Sequence, residues 1–188
     1  TGIGEIAEFN GGLKQELAMA NALTPAFVTA KKLNKKATWF YYISANRFVN
    51  LFPWIGRKAW HYSDRLWKKA YMDEIAAAKQ KFYWSAPYLD TAGSGMNTSI
   101  GLGVYKQSEF VGAVVIDLNL NSIHKNLPDI TAEQHGFILM DKNNNIVVHK
   151  TLEKNNITKR LYWQDVMPEK LALLTPIALG KLENSAKV

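Results

Sequence analysis

Cysteine is absent from the sequence, and so is any long apolar run. Without cysteine the chain can form no disulfide, no thiolate metal site and no cysteine nucleophile. No stretch approaches the roughly 20 apolar residues that span a bilayer as a helix, and no signal-peptide pattern stands at the start. The chain begins at Thr1 without a methionine, so we expect it to be a segment of a longer protein.

Motifs for catalysis, metal binding and cofactor binding are also missing. The four histidines show no ligand spacing among themselves or with carboxylates, so no metal site is expected. Four glycines could suggest a phosphate-binding loop, but strands and not a helix are predicted after them. They are Gly93, Gly95, Gly101 and Gly103. No nucleophile elbow is present. We therefore expect neither a cofactor nor an enzymatic activity.

The basic charge of the chain raises the question of an anionic partner. The formal net charge is +7, which would suit nucleic acid or a membrane surface. The lysines stand in small groups, however, with no arginine-rich stripe and no RNA-binding aromatic signature. We therefore expect a solvated basic surface, with membrane proximity as the alternative, and no nucleic-acid partner.

The remaining composition is that of a folded globular protein. Hydrophobic residues make up 47% of the chain and charged residues 21%, which is sufficient for a packed core. A length of 188 residues accommodates one domain of ordinary size, or one complete module and part of another. The six tryptophans are spread along the sequence, and such large rings usually fill cores or line pockets.

The N-terminal segment has the periodicity of a long helix. From Glu5 onward, apolar residues alternate in steps of three and four, at Ile6, Phe9, Leu13, Leu17 and Ala20. This predicts a helix that contains Gly11 and Gly12 in its middle. Thr24 and Pro25 then read as an N-cap and a first helical residue, which would restart or kink the helix, and the helix should end among the lysines after Val28.

The next part of the chain predicts an antiparallel sheet with one helix. Aromatic and β-branched runs are typical of strands, and the amphipathic segment from Ser63 to Gln80 is typical of a helix that covers one sheet face. A short helix from about Asn121 to Leu127 should close this unit at Pro128. The five predicted strands are Thr38 to Ser44, Phe48 to Phe52, Phe82 to Tyr88, Thr98 to Tyr105 and Phe110 to Leu118.

After Pro128 the pattern starts again. The runs Gly136 to Met140 and Ile146 to His149 flank an asparagine-rich turn, which is a strong hairpin signal because asparagine tolerates positive φ. The remainder contains a predicted helix around Val166 to Leu174 but too few strands to complete a second sheet. We therefore predict an α+β chain that ends in part of a second α/β unit.

Four motifs, in this order and spacing, resemble the double Cache sensor domains of bacterial chemoreceptors, histidine kinases and diguanylate cyclases. Together they cover roughly Trp39 to His149. They are Arg65-Leu66-Trp67-Lys68-Lys69-Ala70, then Tyr83-Trp84-Ser85-Ala86-Pro87-Tyr88-Leu89-Asp90, then Phe110-Val111-Gly112-Ala113-Val114-Val115-Ile116-Asp117-Leu118, and lastly the hairpin from Gly136 to His149.

The resemblance implies both an architecture and a role. Residues 1–37 would form an N-terminal helical stalk, 38–128 a membrane-distal PAS-like module with a five-stranded antiparallel sheet, and 133–188 a partial membrane-proximal module. The chain would be the extracytoplasmic sensor of a membrane-anchored receptor, on the periplasmic or extracellular face of the bacterial inner membrane. It would bind a small carboxylate or amino acid, and it would form a homodimer through the N-terminal helix.

The resemblance also implies a ligand site. In the amino-acid-binding branch of this family, the positions matching Arg65 and Trp67 contact the ligand carboxylate, and those matching Tyr88, Asp90 and Asp117 contact its amine. Arginine suits the first task because its planar fork of donors matches a carboxylate. This chain departs from the pattern by having Trp60 and Lys68 where the branch has tyrosine. An inward-facing Lys68 would favour a dicarboxylate.

Each of these residues also has a purely structural interpretation. Arg65 could pair with Asp64 or Asp73, Lys68 could be solvated, and Trp67, Trp84 and Tyr88 could belong to the core. Asp117 could cap the following short helix, and Asp90 could initiate the turn before Gly93.

Two functional alternatives stay open beside the sensor. The domain could bind nothing and act as a dimerisation element, with Leu13, Leu17 and Ala20 as a helical seam. More distantly, Asp90 and Asp117 could form the carboxylate pair of a hydrolase.

Overall fold

An antiparallel sheet of six strands forms the centre of the computed structural model. Its strand order is β2-β1-β6-β5-β3, with β4 also paired to β5. The strands are β1 Ala37–Ser44, β2 Val49–Phe52, β3 Tyr83–Trp84, β4 Tyr88–Leu89, β5 Met96–Lys106 and β6 Glu109–Asn119. The structure describes residues 10–55, 69–90, 92–124, 139–141, 143–148, 161–162 and 165. The α+β class and the single antiparallel sheet are confirmed.

Turn chemistry explains the hairpins β5–β6 and β1–β2. Gln107 and Ser108 both have positive φ, at 48° and 70°, as the two-residue turn that suits the strand twist requires. Between β1 and β2, Arg47 has a positive φ of 61°, as the last residue of a three-residue hairpin loop commonly does. Both turns lie where the sequence predicts them.

Helices over both faces of the sheet complete the core. Helix α3, Lys69–Ala78, places Met72 and Ile75 in a cluster with Tyr41 and Val115 on one face. Gly101 makes this approach possible, because a Cβ there would lie 3.0 Å from Cδ1 of Ile75. The described part of the predicted Ser63 to Gln80 helix therefore covers one face, as expected.

Two helices, α1 Gly11–Ala22 and α2 Thr24–Leu33, cover the opposite face. Ala20 and Phe27 are buried there in a cluster with Phe40, Tyr42 and Phe48. Helical structure in this segment and its end among the lysines are confirmed. The described part of residues 1–37 thus packs on the sheet.

Three details of the helical prediction are wrong. Gly11 and Gly12 open α1 instead of lying in its middle, because Asn10 is extended and its side chain accepts a hydrogen bond of 2.8 Å from the Leu13 backbone. Thr24 makes no side-chain cap; Leu23 occupies that position. The suggested dimer seam is covered by the chain's own sheet, since Ala20 is buried in that core and the other seam residues, Leu13 and Leu17, pack against it.

The strand predicted from Phe82 to Tyr88 is interrupted. It consists of β3 and β4, which pair with β5 in registers that differ by one residue. Pro87, between them, has no N–H to donate to the ladder. At Ser85 the side-chain Oγ, and not a backbone carbonyl, accepts the hydrogen bond from the Ser99 N–H, at 2.8 Å. Because of this one-residue shift in register, the Tyr88 side chain points toward the central strands at this end of the sheet.

The C-terminal part contributes a small hairpin. Strands β7 Leu139–Met140 and β8 Ile146–Val148 form a two-stranded sheet, and β8 contacts α4, Leu120–His124. Asn144 has the positive φ of 61° that the turn requires. The predicted hairpin is confirmed, whereas the partial module at 133–188 lies mostly outside the described residues and stays a prediction. None of the helices described is long and apolar enough to cross a membrane.

Candidate functional site

One row of side chains crosses three strands near the end of the sheet. Asp117 of β6 is the register partner of Trp39 on β1 and of Ser99 on β5. Directly opposed residues in a sheet point to the same face. Tyr41 follows Trp39 by two positions on that face and belongs to the cluster under α3. The row therefore lies on the α3 side of the sheet.

Asp117 is the buried centre of this site. Its side chain is 4% exposed, and its Oδ1 accepts hydrogen bonds from the hydroxyls of Ser99 at 2.6 Å and Tyr41 at 3.0 Å. Burial raises the pKa of this carboxyl from 3.8 to about 6, although hydrogen bonds from Ser99, Tyr88 and Tyr41 act to lower it. No described lysine or arginine contributes to that pKa, and the charge of Asp90 raises it further.

Tyr88 reaches the same group from β4. Its hydroxyl lies 2.8 Å from Oγ of Ser99 and also hydrogen-bonds Asp117. The side chain is half-buried, so the ring borders the site from the edge of the sheet. Three hydroxyl groups thus surround one carboxylate.

Asp90 lies beside this cluster and shapes the turn that follows β4. Its Oδ2 accepts from Nε1 of Trp39 at 3.1 Å and from Oγ of Ser94 at 2.6 Å. Its Oδ1 accepts the Ala92 N–H at 3.1 Å. The turn-forming interpretation of Asp90 is therefore correct, and the bond to Trp39 ties that turn to the first position of the row.

Two further polar side chains, Asn97 of β5 and Asn119 of β6, hold the ends of these strands in position. Asn97 is fully buried and donates to Oγ of Ser94 at 2.9 Å. Asn119 accepts the Ser122 N–H at 3.1 Å, so Asn119 and not Asp117 caps the first turn of α4. The capping interpretation of Asp117 is wrong, because Asp117 faces α3 and the hydroxyl cluster.

The structure brings three of the six sequence-predicted site residues together, namely Tyr88, Asp90 and Asp117. The others, Arg65, Trp67 and Lys68, lie outside the described residues, as does Trp60. Trp84 lies away from the group and is 53% exposed, so its interpretation as a core residue is wrong.

Sequence reasoning missed Trp39, Tyr41 and Ser99. Trp39 and Tyr41 stand two positions apart in one predicted strand, so their side chains should lie on the same face of it. That alternation is the signal that could have grouped them. Ser99 could be found only from the β5–β6 register, because nothing in its local sequence marks it.

The arrangement is chemically suited to a cationic group. A carboxylate removed from water without a charge partner is unfavourable unless a proton or a cation compensates it. Asp117 has hydroxyl donors but no described cation, and the second carboxylate, Asp90, adds negative charge. Across the described ranges, no group of three or more His, Asp or Glu side chains is placed to hold a metal ion.

Comparison with solved structures identifies the fold. The ligand-binding domain of the amino acid chemoreceptor PctB of Pseudomonas aeruginosa, in complex with L-Gln, superposes with a TM-score of 0.54 at 19% identity, over 73% of this chain and 54% of that domain. The domain of the Campylobacter jejuni chemoreceptor Tlp3 with L-valine gives 0.52 at 18% identity, over the same shares of the two chains. Another structure of the Tlp3 domain, with isoleucine, gives 0.51 at 17% identity, over 73% of this chain and 54% of the domain.

This chain has the fold of a chemoreceptor ligand-binding domain. The fold expected from the Cache resemblance is thereby confirmed. The chain spans about half the length of the solved domains that it matches. No protein-family model matches the sequence, and the comparison with curated proteins gives no match.

Proposed function

We propose that this chain is the extracytoplasmic ligand-sensing domain of a membrane-bound bacterial receptor, and that it binds a small amino acid or carboxylate. The observation that carries the proposal is the buried Asp117 carboxylate with its hydroxyl donors at the end of the sheet. The fold supports it, because solved domains of this fold are described in complex with amino acids.

The ammonium group of an amino acid would bind at Asp117 and Asp90. An opposite charge within about 4–6 Å stabilises an ionised carboxylate, which offsets the burial that disfavours ionised Asp117. Tyr88 would border the ligand, and its hydroxyl would help to hold Asp117 in position through Ser99. Specificity for a zwitterion over a simple amine then requires a partner for the carboxylate.

Arg65 and Trp67 would supply that partner. Arg65 stands four positions before Lys69, where α3 begins, and α3 covers the face that carries Asp117. Its guanidinium can hold a carboxylate with two parallel hydrogen bonds, and Trp67 would orient it or form the wall of the pocket. Lys68, if it faces inward, would shift the preference toward dicarboxylates.

The receptor context completes the proposal. The domain would lie on the periplasmic side of the inner membrane and pass the signal to a cytoplasmic output region such as a kinase, a cyclase or a methyl-accepting segment. It would act by binding and not by catalysis. A homodimer through the N-terminal segment would use surfaces other than the covered face of Leu13, Leu17 and Ala20.

Calorimetric titration with the common amino acids and dicarboxylates, beside thermal melts, tests the proposal. A ligand at a hundredfold excess over its dissociation constant should stabilise the domain by roughly 2.7 kcal/mol. Asp117→Asn and Arg65→Ala should each abolish the response, whereas Glu109→Gln, at an exposed acid that begins β6, should leave it unchanged.

Two outcomes would contradict the proposal. A domain that only dimerises would show no stabilisation by any ligand, and Arg65→Ala would then lower stability with no binding to lose. Turnover of a glycoside that depends on Asp90 and Asp117 would favour the hydrolase instead.

A further inference from the structure

A cavity lies between the two sheets, away from the cluster around Asp117. It is a cleft of about 980 Å³ formed by the C-terminal half of α3, by β3 with its flanking residues and by the β7–β8 hairpin. Its described lining shares no residue with the group formed by Trp39, Tyr41, Tyr88, Asp90, Ser99 and Asp117. The volume is within the range of small-molecule sites, roughly 300–1,000 Å³.

Two aromatic rings stand exposed at this cleft. Phe82 is 75% exposed and Trp84 is 53% exposed, and both line the cavity. Large rings left in water near one another mark binding surfaces, because burying them is strongly favourable. Met140 and Val147 of the hairpin supply apolar surface on the opposite side.

Two carboxylates flank the rings. Glu74 accepts a hydrogen bond from the Tyr83 hydroxyl, which holds it at the α3 side. Asp141 is fixed on the hairpin by the backbone N–H groups of Asn143 and Asn145, at 2.8 and 2.9 Å. The described lining contains these two acids and no lysine or arginine, although the whole chain carries a net charge of +7.

We propose that this cleft is a second ligand site, for an organic cation whose ammonium group lies against Phe82 and Trp84 between Glu74 and Asp141. Aromatic faces attract quaternary ammonium groups through their negative quadrupole, tryptophan most strongly. The carboxylates add charge complementarity and disfavour an anion, so the site would not take the carboxylate ligands proposed for the Asp117 cluster. The inference does not rest on that proposed function.

The test is calorimetric titration of the 188-residue chain with choline and with 3,3-dimethylbutan-1-ol, which has the same shape without the charge. Choline should bind and the neutral alcohol should bind at least about fivefold more weakly, since a cation over an aromatic face contributes roughly 1 kcal/mol. Trp84→Ala and Glu74→Gln should each weaken choline binding by about fivefold or more, with Trp84→Phe intermediate. Because Trp84 is exposed, these variants should fold, and circular dichroism verifies it.

Asp117→Asn separates this site from the other one, because it should leave choline binding unchanged. No choline binding at millimolar concentration would overturn the proposal, as would equal binding of the neutral alcohol or loss of choline binding in Asp117→Asn alone. Sedimentation showing a dimer that Trp84→Ala dissociates, with no choline binding, would assign the cleft to a second copy of the chain and would likewise overturn it.

Discussion

Tyr41 and Tyr42 are neighbours in β1, and their hydroxyls reach carboxylates on opposite faces of the sheet. Tyr41 donates to Asp117 at 3.0 Å on the α3 side, whereas Tyr42 donates to Glu16 of α1 at 2.7 Å on the other side. Burial, then the hydrogen bond to Glu16, raises the pKa of Tyr42 above its ordinary value. One strand therefore connects the candidate site directly to the N-terminal helix.

Glu16 should be a main anchor of α1. It accepts hydrogen bonds from Tyr42, Ser44 and Asn46, so Glu16→Ala would leave the buried hydroxyls of Tyr42 and Ser44 with fewer acceptors. We expect the free energy of unfolding to fall by about 2–3 kcal/mol, measured by urea denaturation. Gln15→Ala, an exposed neighbour on the same helix, should change it by less than about 0.5 kcal/mol.

A double-mutant cycle of Glu16→Ala with Tyr42→Phe checks that the contact is responsible. The two losses should be clearly less than additive. Full additivity would show that Glu16 stabilises α1 by another route.

The buried Asp117 should make the unliganded domain less stable as the pH rises. Its pKa is about 6 in the folded chain against an ordinary 3.8, so the folded state binds the proton more tightly. The resulting stabilisation is complete below pH 3.8 and is lost as the pH rises through about 6, a difference of roughly 3 kcal/mol. Asp117→Asn should remove this decline, as denaturation at pH 4 to 8 would reveal. A wild-type decline that persists in the variant would assign it to other groups.

Amino acid binding should have the opposite pH dependence, if the proposed function is correct. An ammonium group pairs with ionised Asp117, and protonation of a group with a pKa of about 6 competes with it. Affinity should fall by about tenfold per pH unit below about 6 and become constant above it, as titration calorimetry from pH 4.5 to 8 would measure. Affinity that is constant throughout, or that increases in acid, would contradict a role for Asp117 in binding the amine.

Gly112 should not tolerate a side chain. A Cβ there would lie 2.5 Å from the Ile43 carbonyl oxygen and 2.6 Å from the Tyr42 hydroxyl, so β1 and β6 would have to separate. We expect Gly112→Ala to destabilise the domain by at least about 2 kcal/mol. The control is Gly11→Ala at the start of α1, where an added Cβ meets nothing within 4 Å; it should be neutral or slightly stabilising. Equal melting temperatures for the two variants would refute the close approach.

Much of the fold could be predicted from local sequence. The aromatic run of β1, the apolar run of β6 and the asparagine-rich turn before β8 each have a strong local preference, and all three form as expected. The resemblance to the Cache family also groups Tyr88, Asp90 and Asp117, and these three residues lie together in the structure. Local preference was enough here because strand, turn and helix propensities agree with the final packing.

What the tertiary structure alone decided is how residues distant in sequence meet. The register of β5 against β6 places Ser99 beside Asp117, and the register of β1 brings Trp39 to the same row. A shift of one residue would turn every one of these side chains to the opposite face, and no local pattern in the sequence determines that shift. Likewise, Leu13 and Leu17 pack against the sheet, which helical periodicity alone does not specify, because tertiary packing decides which neighbour an apolar helix face covers.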